Sequence, residues 1–204
     1  MKKPKLRELK EAITSLISKP YTSRFPFEPH TPAKNFRGAP KYSLEGCIAC
    51  TGCSNVCPSN AIEFVDDIAK SPAARTMIVH HDICVFCGQC QKYCTTREDT
   101  PPGIALGSDF DLATFKREDA VSKVDKELAL CEVCGKPITA KAHLEWIVKK
   151  LGPLAFSNPT LFMSRLGELG QVDESIIDTV KDLTRGDRMR ILCAKHRRAT
   201  ALEK

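Results

Sequence analysis

An α+β fold is predicted by three features: a duplicated four-cysteine motif, strand-like runs between its two copies, and helical periodicity at both ends of the chain. CIACTGCSNVC at 47–57 and CVFCGQCQKYC at 84–94 share one spacing, C-x2-C-x2-C-x3-C. Between them AIEFV at 61–65 and TMIVH at 76–80 have the β-branched composition of strands, and Ser71-Pro72 marks the loop that joins them. The polar insertion TTREDTPPG then leads into a third short strand, GIAL.

Residues 4–19 read as one amphipathic helix. Pro4 suits a first-turn position, Leu6, Leu9, Ile13, Leu16 and Ile17 share a face, and Pro20 ends the element. That face either packs on its own domain or docks on a partner or a membrane interface. Residues 20–46 carry five prolines and little periodicity, so an extended arm laid over a surface is expected. Residues 110–130 are expected as a bridge with a short helix around FKREDAVSKV. Beyond it Ile138, Ala142, Ile147, Val148 and Leu151 space a helix that Gly152-Pro153 stops. Asn158-Pro159 resembles an N-cap with proline at N1, opening a second helix to about Leu169. Asp173 to Arg185 predicts a third, with Gly186 at its C-cap position, and Met189 to Leu202 a last basic helix.

The chain has 204 residues, enough to bury an ordinary core in one domain or two. A hydrophobic content of 42% excludes wholesale disorder. Eight of the eleven cysteines fall in the duplicated motif, which argues against a secreted disulfide framework and for a reduced, cytoplasmic setting. The basic start has no apolar run of signal-peptide length, and no stretch is apolar enough to predict a membrane span. The net charge of +6 is diffuse and concentrated only at the two ends. No aromatics interleave the KHRR run at 195–198, so no nucleic-acid partner is expected.

Cysteine spacing carries the chemistry. Three thiolates two residues apart wrap one cubane cluster, because a tight turn points them inward together; the fourth is displaced and reaches the neighbouring cluster in two-cluster ferredoxins. Cys47, Cys50, Cys53 and Cys94 are therefore assigned to one 4Fe–4S cluster, and Cys84, Cys87, Cys90 and Cys57 to the other. Buried thiols or paired zinc knuckles are the blander alternative, which the repeated spacing disfavours. No cysteine is replaced by aspartate, so a three-iron centre is not expected. Thr95 stands where the first motif has Pro58; it removes no ligand but bears on cluster solvation or potential.

The last three cysteines form a separate set. Cys131-x2-Cys134-Gly135 is a knuckle, and Cys193-x2-His196 offers a second pair. Together they make a closed Cys3His site of the structural zinc type, with a 2Fe–2S centre as the alternative. Such a site contributes on the order of 10 kcal/mol to folding and would fasten the C-terminal helices. His80 and His81 precede the second motif, where they either tune a cluster by hydrogen bonding or cap a strand end; His143 is read as a packing residue. No Gly-rich phosphate loop or Ser/His/Asp arrangement is visible, so no catalytic residue is assigned and the chain is not expected to be an enzyme alone.

The stretch NFRGAPKYSLEGCIACTGCSNVCPSNAIEF resembles the 8Fe ferredoxin-like subunit of complex I and of energy-converting NiFe hydrogenases. The resemblance rests on Arg37, Gly38 and Pro40 before the first motif, on Cys57, Pro58, Ala61 and Ile62 at its end, and on DFDLATFKREDAV after the second. ALCEVCGKPI with a distant second ligand pair is most similar to the longer subunits of formate hydrogenlyase and related membrane-bound hydrogenases. Thr95 and the TTREDTPP insertion depart from the family and put the second cluster's surroundings in question.

The resemblance implies a relay subunit, peripheral on the cytoplasmic side of a membrane-bound complex. It would pass electrons through two 4Fe–4S clusters toward a further cluster in the adjacent small subunit and then to the NiFe subunit. Its donor would be a ferredoxin or a dehydrogenase. The helix and arm at 1–46 would dock on neighbouring subunits, the two-cluster bacterial ferredoxin-like core would span 47–122, and a mainly helical, zinc-clamped module 123–204. A free soluble ferredoxin with an appended metal module is the competing reading; electron shuttling by a free ferredoxin calls for neither the arm nor the added site.

Overall fold

The computed structural model describes residues 5–171 and 189–202. The chain divides into two units, Met1–Phe36 and Arg37–Lys204. In the first, helix α1 runs Leu6–Ile17. The Lys5 N–H donates to Glu8 Oε2 at 3.0 Å, closing the first turn, and Ser18 turns extended at the other end. Leu6, Leu9, Ile13, Leu16 and Ile17 are all exposed, and no residue of α1 is buried. Pro4 lies outside the described residues.

The second unit is built on two antiparallel sheets. Strand β1 (Pro40–Tyr42) pairs with β4 (Ile104–Leu106), so the end of the proline-rich stretch forms a strand, preceded by turns at 25–27 and 34–35. Gly38 precedes β1 at a crowded crossing: a Cβ there would lie 2.6 Å from the carbonyl oxygens of Gly107 and Asp109. Only glycine fits, which accounts for its place in the R-G-x-P run.

The larger sheet has the order β2-β3-β5-β6. Strands β2 (Ile62–Asp67) and β3 (Ala74–His80) form the hairpin expected from sequence. The expectation for 110–130 needs correction. Only a single 3-10 turn forms at Arg117–Asp119, and Val121–Leu130 is a ten-residue strand, β5, paired along β3 from His80↔Val121 to Ala74↔Glu127. The strand runs through residue 122, where a domain boundary was expected. Met77 faces Val124 across this pairing, and both are buried with Cys47, Cys53, Cys90, Ile62, Val79 and Ile104 in one core.

Strand β5 continues through β6 (Pro137–Ala140) into helix α4 (Lys141–Leu151), which Gly152 ends at φ 54°. Ile138 thus belongs to a strand rather than to the helix predicted around it. Helix α5 (Pro159–Glu168) opens as expected, with the Thr160 N–H donating to Asn158 Oδ1 at 3.1 Å. Leu144 of α4 and Leu161 of α5 pack with Ala129 and Ala155 in a second small core. The last helix, α6, spans Ala194–Leu202. The helix expected at 173–185 lies outside the described residues. Among the described residues no helix is long and apolar enough to cross a membrane.

Candidate metal centres

Both cysteine motifs fold the same way. The residue before the second cysteine and the residue after it are left-handed in each copy: Ala49 (φ 49°) and Thr51 (φ 65°), then Phe86 (φ 51°) and Gly88 (φ 76°). Two such reversals within three residues curl the backbone around one point. A one-turn helix follows each, α2 (Gly52–Asn55) and α3 (Gln89–Lys92), and carries the third cysteine inward: Cys53 and Cys90 are buried.

Left-handed backbone costs an L-residue about 1–2 kcal/mol, and a β-branched side chain fits it worst. Thr51→Gly should therefore raise the unfolding free energy by roughly 1 kcal/mol, whereas Gly88→Ala should lower it by a similar amount and press a Cβ to 3.2 Å from Leu106 Cδ1. Urea titrations of the two variants under one set of conditions check the opposite signs.

The fourth cysteine of each motif turns the other way. Cys47, Cys50, Cys53 and Cys94 line one small cavity, together with Tyr42, Met77 and Ile104. Cys57, Cys84, Cys87 and Cys90 line another, with Pro40, Ile62 and Leu106. Four convergent sulfurs in an apolar pocket are the donor set that a 4Fe–4S cluster requires. The C-P-x-x-A run has a local reason: the Ala61 N–H donates to Cys57 Sγ at 3.2 Å, turning that thiol toward the far cavity.

Burial sets the protonation of four of these thiols. It pushes Cys53 up to about 12 and Cys90 up to about 11, and raises Cys47 and Cys84 as well. Without metal they are neutral at pH 7, so loading iron must displace their protons, and affinity rises with pH.

Sequence reasoning missed two residues that support the first cavity. Arg75 is only 8% exposed, and its Nε and Nη2 reach the Asp66 carboxylate at 2.6 and 2.8 Å. Its Nη1 donates to the carbonyl of Ala49, in the cysteine loop, at 3.1 Å, and Phe64 stacks 4.9 Å below the guanidinium. A basic residue opposite an acidic one across a hairpin was visible in the sequence; its reach to Ala49 was not. Tyr42, on β1, places its hydroxyl 3.6 Å from Cys53 Sγ.

The TTREDTPP insertion borders the first cavity rather than the second. Thr95 Oγ1 lies 3.1 Å from Cys50 Sγ, and buried Thr96 ties Gly46 to Gly103 beside Cys94. Asp99 anchors the insertion by accepting from Trp146 Nε1 at 2.8 Å and Lys150 Nζ at 3.3 Å. Its carboxyl is held low, first by the Trp146 bond.

The third set is also brought together: the ligand atoms of Cys131, Cys134, Cys193 and His196 all lie within 4.8 Å of one another. His196 Nδ1 sits 3.5 Å from Cys131 Sγ and 3.3 Å from Cys193 Sγ. In a tetrahedral zinc site with ordinary bond lengths that separation is about 3.6 Å. Gly135 turns the knuckle at φ +64°, and Cys193 immediately precedes α6, whose first turn carries His196. The Glu132 N–H donates to the Ile191 carbonyl at 3.0 Å and the Ile191 N–H returns to Glu132 Oε1 at 2.7 Å, docking the two halves. Burial alone would raise the Cys131 thiol; N–H groups of Cys193, Cys134 and Val133, with the His196 imidazole, outweigh it and bring it down.

The other histidines have structural partners. His80 Nε2 meets Glu63 Oε1 at 2.9 Å, and His81 Nε2 meets Ser122 Oγ at 2.8 Å. His143 Nδ1 pairs with Thr139 Oγ1 at 2.9 Å.

A small mixed sheet-and-helix core presenting two four-cysteine pockets defines a two-cluster, ferredoxin-like iron–sulfur protein. Residues 46–97 match the family described as 4Fe-4S dicluster domain. Formate hydrogenlyase subunit 6 of Escherichia coli (strain K12) is 35% identical over 130 residues, 64% of this chain and 68% of that one. NADH-quinone oxidoreductase subunit I 2 of Geobacter metallireducens is 32% identical over 124 residues, 58% of this chain and 91% of that one. Among solved structures, a chain of the membrane-bound sulfane sulfur reductase, an archaeal respiratory membrane complex, is 27% identical over 59% of this chain and 61% of its own, at a TM-score of 0.40. The chain belongs to the family of formate hydrogenlyase subunit 6 and NADH-quinone oxidoreductase subunit I.

Proposed function

We propose that this chain is the electron-relay subunit of a membrane-bound hydrogenase of the formate hydrogenlyase type, or of a complex I-like oxidoreductase. It takes electrons from a ferredoxin or dehydrogenase donor and hands them toward the subunit that carries the next cluster. The observation that carries this reading is the pair of four-cysteine cavities, each joining three thiols of one motif to the fourth of the other. Membership in a family of complex subunits supports the assembly context.

Cys47, Cys50, Cys53 and Cys94 hold one 4Fe–4S cluster in this reading, and Cys84, Cys87, Cys90 and Cys57 the other. Each cluster, when bound, takes up and releases one electron without a proton or a bond change at a protein atom. The polypeptide supplies thiolates at fixed positions and excludes water behind Met77, Val79 and Ile104, which are essentially inaccessible to solvent. Cys131, Cys134, Cys193 and His196 hold a structural zinc that clamps the C-terminal segment onto the end of β5. The exposed apolar face of α1 docks on a neighbouring subunit at the cytoplasmic face of the membrane.

Anaerobic purification from the native host tests the reading. Roughly eight irons and one zinc per chain, with hydrogenase-like subunits co-purifying, are expected. A monomer with about four irons would overturn it. Cys57→Ser and Cys94→Ser test the crossing: each should perturb the electron paramagnetic resonance signal of the cluster held by the other motif's three cysteines.

A further inference from the structure

The two motifs differ at one position that the fold turns into a difference between the pockets. After its fourth cysteine the first motif has Pro58, which has no N–H or side-chain donor to offer; the second has Thr95. Because the fourth cysteine crosses over, Thr95 lands beside the first motif, with Oγ1 3.1 Å from Cys50 Sγ. A Cys50 thiolate has no proton, so the hydroxyl is the donor in that contact.

Its neighbour cannot do the same. Thr96 Oγ1 lies 3.4 Å from Cys94 Sγ, but its single proton goes to the Gly46 carbonyl at 2.9 Å. It also accepts from the Gly103 N–H at 3.0 Å, so Thr96 is a structural tie. Around the second pocket the nearest hydroxyl is weaker, Ser59 Oγ at 3.7 Å from Cys57 Sγ.

We propose that Thr95 is a potential-setting residue: its hydroxyl donates to the Cys50 sulfur and raises the reduction potential of the cluster in the Cys47, Cys50, Cys53 and Cys94 pocket. The reason is electrostatic. Reduction adds negative charge that is shared by the sulfurs, and a donor aimed at one of them stabilises the reduced state more than the oxidised state. Tyr42, whose hydroxyl lies 3.6 Å from Cys53 Sγ, acts on the same pocket in the same direction. The inference rests on the reading of both pockets as cluster sites.

Redox titration of the purified complex, followed by electron paramagnetic resonance, separates the two ideas. Thr95→Val and Thr95→Ala should lower the midpoint of one of the two signals, shifting its reduced-to-oxidised ratio about tenfold at fixed potential, or ~59 mV for one electron. Thr95→Ser should restore it, and Tyr42→Phe should move the same signal downward. Unchanged midpoints in both Thr95 variants would sink the tuning role while leaving the cluster sites intact. So would equal shifts in both signals, or a serine variant that behaves like valine. A wild-type complex without two 4Fe–4S signals from this chain would overturn the site reading itself.

Discussion

With the Cys131, Cys134, Cys193 and His196 set holding the zinc proposed above, Cys193→Ala should strip that metal and leave the iron in place. Cys131, Cys134 and His196 would keep three donors, but the clamp between the end of β5 and the start of α6 would be open. A closed structural zinc contributes on the order of 10 kcal/mol of apparent binding free energy, more than the ~2–5 kcal/mol expected from truncating a core leucine such as Leu144. Among the described residues, the segment from 189 onward is also held by the Glu132–Ile191 pair, by Thr160 to the Leu192 carbonyl at 3.2 Å, and by Arg197 to Asn158 at 3.0 Å. Metal analysis should therefore read one zinc fewer and unchanged iron, and hydrogen exchange should accelerate across α5 and α6 while the β2–β3 hairpin stays protected. Loss of iron together with the zinc would show that the two parts fold as one. Retention of a full zinc in the variant would remove Cys193 from the ligand set.

Arg75→Met should be strongly damaging although Arg75 is not a metal ligand. The guanidinium is buried and makes three hydrogen bonds, two to Asp66 and one to the Ala49 carbonyl. Removing it leaves the Asp66 carboxylate, itself 18% exposed, without its partner. Breaking a buried pair this way costs ~3–5 kcal/mol. It also frees the left-handed Ala49 turn, so the first cluster should be lost in preference to the second. Iron content falling by about half in an otherwise folded chain, with a lower urea midpoint, is the expected result. Asp66→Asn combined with Arg75→Met should regain part of the stability, because the stranded charge is gone, but not the cluster, because Ala49 still lacks its anchor. If the double variant recovered both, the Ala49 contact would be irrelevant to cluster retention.

How much of this was legible depended on whether the information was local. Cys47, Cys50 and Cys53 could be grouped because a three-residue period and a tight turn need no other part of the chain. The Asn158 cap and the Gly135 knuckle were readable for the same reason. Strand β5 was not. VSKVDKELAL combines Val124 and Leu128 at a helical interval with Lys and Glu, all compatible with a helix. Its strand conformation comes from pairing with β3, whose partner residues lie more than forty positions away, and local propensity does not encode that pairing. The insertion was misplaced by a similar route. Adjacency to the second motif pointed to the second pocket, whereas the crossover of Cys94 carries Thr95 and Thr96 to the first.

Spacing alone determined the class of chemistry: eight thiols in two equal motifs, and a separate Cys3His set, since ligand type and interval are properties of the chain itself. Only the tertiary structure decided what surrounds those sulfurs. Arg75 reaches Ala49, Tyr42 reaches Cys53 and Thr95 reaches Cys50 because strand pairing and the exchange of fourth cysteines bring distant residues within hydrogen-bond range. Which atoms touch a sulfur is a matter of packing, and packing is settled by contacts between residues far apart in the sequence.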